Sequence, residues 1–167
     1  MPEAIFCSSC LLQALSLLVI ANGAPVGAGL ILRRHYSMPV DGGLMWRDGR
    51  PLFGKSKTWR GLVSSIGLTS LVAPWLDLAI STAALFALSS MMGDLASSFC
   101  KRRLGLAESS RVRGLDTLPE SMLPATLLKD TLGLAWLDII ILAAVFLLIE
   151  ATLTALLHQL HIRKTPY

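Results

Sequence analysis

The chain has 167 residues, 53% of them hydrophobic and only 16% charged, with a formal net charge of +4. A soluble domain carries about 25% charged residues, so this composition argues against a soluble protein and for one domain, residues 1–167, built in a membrane. Three cysteines, Cys7, Cys10 and Cys100, form no disulfide framework, and there is no internal repeat.

A spanning helix needs about 20 mostly apolar residues. The first predicted span is 10–32. Glu3 and the absence of a basic n-region argue against a cleavable leader. Within this span "ANGAPVGAG" places Asn22, Gly23, Pro25, Gly27 and Gly29. Two readings stand: backbone broken at membrane depth beside a cavity, or a proline kink with small residues for close helix packing.

The connection 33–57 follows, with "GKSKTWRG" running from its end into the second span, 58–76. Its glycines, Gly54 among them, allow backbone amides to form an anion-binding concavity. Lys55, Lys57 and Arg60 add charge suited to phosphate oxygens. The order is not that of a P-loop. A polybasic patch that sets topology or binds anionic lipid is the competing reading.

The third span, 78–99, carries Asp94 about one turn from its end. An ionisable residue there is a functional candidate; the alternative is an interfacial aspartate paired with Lys101 or Arg102. The connection 100–117 adds Asp116, and Glu120 stands just beyond it, giving hard oxygen ligands among cations. That mixture suits a Mg²⁺-nucleotide site, or else a salt-bridged solvated loop. The fourth span, 118–135, is interrupted by Lys129 and Asp130, and the fifth, 136–157, is the most apolar.

Charge orients the five spans. Every Lys and Arg except Lys129 falls in 33–60, in 100–120 or in the tail with Arg163 and Lys164. By the positive-inside rule those segments are cytoplasmic. The amino terminus is then outside with Glu3, Asp77 and Asp138, and the carboxyl terminus is inside. The fold expected is all-α and integral to the membrane: five transmembrane helices with two cytoplasmic catalytic loops.

Four segments together resemble the CDP-archaeol synthase family, small relatives of the CDP-diacylglycerol synthases. They are "ANGAPV", "PVDGG…RDGRPLFGKSKTWRG", "GDLASSFCKRR" and "LDTLPES". The resemblance implies transfer of CMP from CTP to a lipid phosphate of the 2,3-di-O-geranylgeranylglyceryl type, giving a CDP-lipid and pyrophosphate with Mg²⁺ as cofactor. By position it implies nucleotide-phosphate roles for Lys57, Thr58 and Arg60, and reaction-centre roles for Asp94, Lys101 and Asp116. The chain departs from the family's "LDQ-x-D" element. Thr117 replaces Gln, and Pro119 stands where the second acid belongs, with Glu120 one place later.

Two anionic reactants meeting near lipid repel each other strongly. The expectation is therefore that Gly54, Lys55, Lys57, Thr58, Arg60, Lys101 and Arg102 offset phosphate charge. Asp94 and Asp116, with Glu120, hold Mg²⁺, and Asp41 and Asp48 orient the cluster or a second metal. The partners are CTP, the lipid phosphate and the bilayer, with no nucleic acid. Phosphatidic acid as acceptor, or a small transporter subunit, are the alternatives. Cys7 and Cys10 are expected as small packing residues, and His35, His158 and His161 as interfacial ones.

Overall fold

The computed structural model describes residues 6–33, 35–107 and 112–159; the side chains of Arg113 and of 154–159 are not described. Arg34, Arg111, Arg163, Lys164, Glu3 and His161, called above as topology or interfacial residues, fall outside that set, as does the side chain of His158.

Six α-helices make up the regular structure of these residues: α1 (Ser8–Leu32), α2 (Trp59–Val72), α3 (Ile80–Arg103), α4 (Arg113–Leu127), α5 (Lys129–Leu132) and α6 (Trp136–Gln159). A 3₁₀ turn, Ala73–Leu76, extends α2. Two isolated bridges, Pro39 with Thr58 and Met45 with Pro51, shape the first connection. By length and composition α1, α3 and α6 are long and apolar enough to cross a membrane.

Local chemistry sets the ends. The Thr58 hydroxyl accepts the Gly61 amide at 3.2 Å and caps α2. Pro74 tightens its far end, and Asp77, at φ 54, stops it. Lys101, Arg102 and Arg103 complement the dipole in the last turn of α3. Arg50 adds a fourth cation there, donating to the carbonyls of Arg102 (3.2 Å) and Arg103 (2.9 Å).

The first helix differs from one of its two readings. It is continuous through Pro25, and close packing holds at Pro25, which a Cβ on Gly61 of α2 would touch at 3.4 Å, while Gly23 and Gly27 have nothing within 4 Å. The fourth segment also differs from 118–135. Helix α4 starts earlier, at Arg113, and ends at Leu127, and α5 adds one turn before left-handed Gly133 stops it. Lys129 and Asp130 lie at this break. Lys129 stacks over Trp136 and reaches Asp130 at 3.4 Å, while Asp130 faces outward.

The chain runs back and forth between two ends. One end joins Cys7, the 3₁₀ turn and the start of α6. Gln13 donates to the Leu76 carbonyl (2.8 Å), and the Cys7 amide donates to the buried Asp138 carboxylate (3.2 Å). Here Cys7 and Cys10 form a disulfide, a correction to their reading as packing residues. A three-residue separation in sequence gave no reason to prefer bonding over packing, but the start of α1 brings the two sulfurs together across one turn. The apolar core, with Leu17, Leu18, Phe86, Ile139 and Leu142 fully buried, fills this half. The other end gathers the two basic connections around a polar cavity. Many large apolar side chains face outward, Ile31, Leu71, Ile140 and Leu148 among them, as expected of surfaces meeting lipid.

Candidate active site

The first connection is folded onto itself before it reaches the cavity. Val40 donates to the Lys57 carbonyl (2.8 Å) and Trp59 to the Met38 carbonyl (3.0 Å). Asp41, 5% exposed, accepts the amides of Gly43 (3.0 Å), Phe53 (2.9 Å) and Gly54 (3.0 Å). Burial pushes its carboxyl upward, but the backbone donors to the charged form outweigh that, and the net effect lies below the ordinary value of 3.8. Asp41 is thus a buckle at the base of "GKSKT". Asp48 pairs with Arg103 and so ties the hairpin tip to the end of α3. Arg103 also stacks on Phe99 and Trp46.

Those folds deliver Lys57 to Asp94, whose carboxylate it contacts directly. The neighbouring Gly93 explains how α4 comes so near. A Cβ there would lie 2.3 Å from the Pro119 carbonyl oxygen and 2.8 Å from the Glu120 Cα. Only glycine permits this approach, and it brings Asp94 and Glu120 together. About two turns further along the same face of α3, Lys101 Nζ lies 2.7 Å from Asp116 Oδ1.

The resulting cavity encloses about 630 Å³. Among its lining residues are Lys55, Lys57, Thr58, Arg60, Asp94, Lys101, Arg102, Asp116 and Glu120. The structure thus brings nine of the sequence-selected residues together, from α2, α3, α4 and the first connection. Asp41, Asp48 and Gly54 do not line it; the Asp41 carboxylate and Gly54 amide are committed to the connection itself, and the Asp48 carboxylate to Arg103 of α3. Arg60 divides its work, donating also to the carbonyls of Arg33 (2.8 Å) and His35 (2.7 Å) at the end of α1. Arg102 donates to the Ala107 carbonyl (2.7 Å).

Several other lining residues had not been selected as site residues, Asn22 and Glu150 among them. Asn22 reaches the cavity from α1 and bonds to Ser90 Oγ at 3.3 Å. Glu150 reaches it from α6 and accepts the Thr117 hydroxyl at 2.7 Å. A carboxylate within the apolar run 136–157 was the signal that could have found Glu150.

The donor set can be tested against a divalent cation. Among the described residues no three His, Cys, Asp or Glu side chains close on a single point. Mg²⁺ does not need three, because it takes one or two carboxylates and completes its shell with water and substrate phosphates. Asp94 and Asp116 meet that requirement. Glu120 is buried, its Oε1 has no hydrogen-bond partner among the described residues, and it feels the charges of Asp94, Glu150, Lys57 and Asp116. Hard oxygens around a cationic pocket are the right chemistry.

The chain is similar to several known proteins. The family model described as CarS-like, CDP-archaeol synthase, matches residues 70–167, more than half of the chain. A CDP-archaeol synthase of Aeropyrum pernix is 36% identical over 171 aligned residues, covering 94% of this chain and 92% of the relative. One of Pyrococcus furiosus is 40% identical over 58% of this chain and 60% of the relative. This chain spans about three fifths of the length of the Pyrococcus, Hyperthermus and Thermococcus relatives it matches. A solved structure described as an intramembrane enzyme for archaeal membrane lipids biosynthesis superposes with a TM-score of 0.73 at 29% identity, covering 84% of this chain and 90% of that one.

Proposed function

We propose, since the chain belongs to the CDP-archaeol synthase family, that it transfers CMP from CTP to the phosphate of a 2,3-di-O-geranylgeranylglyceryl-type lipid. An oxygen of the lipid phosphate attacks the α-phosphorus of CTP. The bond to the β-phosphate breaks, and pyrophosphate leaves. The observation that carries this reading is the meeting of Lys57–Asp94 and Lys101–Asp116 on one cavity.

The lipid phosphate is already a nucleophile, so the residues need only position and neutralise. Each lysine–aspartate pair keeps its charges balanced inside a half-buried site. An arriving triphosphate offers the lysines a richer anion, and Lys55, Arg60 and Arg102 add to the field. The start of α2 also opens on the cavity through Thr58 and Gly61, where the positive end of the helix dipole favours phosphate. Asp94 and Asp116, with Glu120 beside them, are the residues suited to hold Mg²⁺. When bound, that ion supplies Lewis-acid charge to phosphate oxygens.

Five passes fit the alternation of the two ends. Helix α2 with its 3₁₀ turn, and α4 with α5, serve as the shorter second and fourth passes, shielded by the longer helices. The cavity then opens at the cytoplasmic face, where the positive connections belong and CTP is available.

The test is CDP-lipid formation by the purified protein in vesicles, with labelled CTP, Mg²⁺ and either ether-linked or ester-linked glyceryl phosphate. Product from the ether acceptor, with matching pyrophosphate, is the expected result. No nucleotide transfer to either acceptor contradicts the reading, and preference for the ester lipid reassigns the acceptor.

A further inference from the structure

Glu150 is a carboxylate in the most apolar helix of the chain, and the transfer chemistry above does not use it. A charge at membrane depth is costly and is kept where it has a partner and a task. One partner is Thr117, whose hydroxyl donates to Glu150 Oε2 at 2.7 Å. Thr117 is fully buried in α4, and the acids Asp116 and Glu120 beside it in sequence line the same cavity as Glu150.

Helix α4 has unusually little internal hold on its own rotation. Pro119 and Pro124 lie inside it and have no amide hydrogen, so the carbonyls of Leu115 and Glu120 lose their usual partners four residues on. No side chain at Val112 caps its start, and the Asp116 carboxylate, accepting the Val112 amide at 3.2 Å, holds its first turn from within. The contact with Gly93 sets how close α4 lies to α3, and the Lys101–Asp116 pair ties its first turn to α3; the Thr117–Glu150 bond ties the same turn to α6. A slip of one residue turns every side chain by about 100°, which takes Asp116 and Glu120 out of the cavity.

We propose that Glu150 is a positioning residue of the transfer reaction. From α6 it holds the Thr117 hydroxyl and thereby fixes the rotation of α4 that presents Asp116 and Glu120 to the substrates. This inference rests on the transferase reading above. It makes the last helix part of the working site and not only a membrane anchor.

The test uses the full chain in vesicles, comparing Glu150→Leu, Thr117→Val, their combination and Glu150→Gln. Valine keeps the shape of threonine, and glutamine keeps an acceptor for its hydroxyl. Removing either partner should lower kcat about 30-fold and leave the KM for CTP within about threefold, because a displaced reacting group is costly even when binding persists. The double variant should be no worse than the weaker single one, as expected of residues acting through one contact. Glu150→Gln should recover kcat to within about threefold of the unmodified enzyme, since it retains the hydrogen bond. Amide exchange over 113–121 gives a readout independent of turnover. It should quicken about tenfold in the leucine and valine variants, and not in the glutamine one.

Additive losses, a glutamine variant as poor as leucine, or unchanged kcat and exchange in Glu150→Leu would each overturn the inference. An unmodified chain that makes no CDP-lipid would instead contradict the transferase reading, and the exchange comparison would still decide the role of Glu150.

Discussion

Lys101 Nζ sits 2.7 Å from Asp116 Oδ1 and joins the end of α3 to the start of α4, with only 8% and 16% of the two side chains exposed. Removing one member of such a pair strands the other's charge. Lys101→Met should therefore destabilise the protein by about 3 kcal/mol in denaturant titration. Lys101→Met with Asp116→Leu should return to within about 1 kcal/mol of the original, since the stranded charge is gone. Neither variant should form CDP-lipid at a useful rate. A double variant that is both stable and active would remove this pair from the site.

Asp94→Asn keeps the shape of the side chain and deletes its charge beside Lys57. Turnover should fall about 10²-fold or more, the usual cost of losing one preorganised charge contact. Near-normal turnover would take Asp94 out of the reaction.

Gly93→Ala places a methyl group 2.3 Å from the Pro119 carbonyl oxygen. Backbone lies on both sides, so the helices must separate, at a cost of about 3 kcal/mol. Thermal unfolding in detergent measures it. Ala at position 67, where nothing lies within 4 Å, is the neutral comparison.

The buckle at Asp41 makes a pH prediction. Its folded value is depressed, so its contribution is fully present above the ordinary value of 3.8 and is lost as the pH falls through the lower folded value. Exchange protection of the Phe53 and Gly54 amides should hold at neutral pH and fade only in acid below that ordinary value. Asp41→Ala should remove it at every pH and raise the KM for CTP, because Lys55 and Lys57 lose their support.

Cys100 is exposed at the end of α3, and Cys7 and Cys10 are bonded to each other. A membrane-impermeant maleimide should therefore label the intact chain at Cys100 alone, and only from the cytoplasmic side of oriented vesicles. Labelling from the outer side would invert the topology.

The charged residues were legible in the sequence because charge is scarce in an apolar chain. Lys57, Asp94, Lys101 and Asp116 stood out against their surroundings, and the positive-inside pattern placed their segments together. What the sequence hid were contacts decided by distant partners. Asp41 looks like a ligand until Phe53 and Gly54, a dozen residues on, are seen to claim its oxygens. Glu150 is reached only when α6 folds back on α4. The break after Leu127 depends on Gly133 taking a left-handed backbone, and the Cys7–Cys10 bond on the way α1 begins.

The central claim is that cations from two separate connections bind one nucleotide. Equilibrium binding of CTP to Lys57→Gln and Lys101→Gln, each well below its unfolding temperature, tests this most directly. Each change should weaken binding by about tenfold or more, the worth of a charge-assisted contact, while Lys129→Gln, at the opposite end of the bundle, should bind as before. Unaltered affinity in either of the first two would mean that Lys57 and Lys101 do not share a triphosphate.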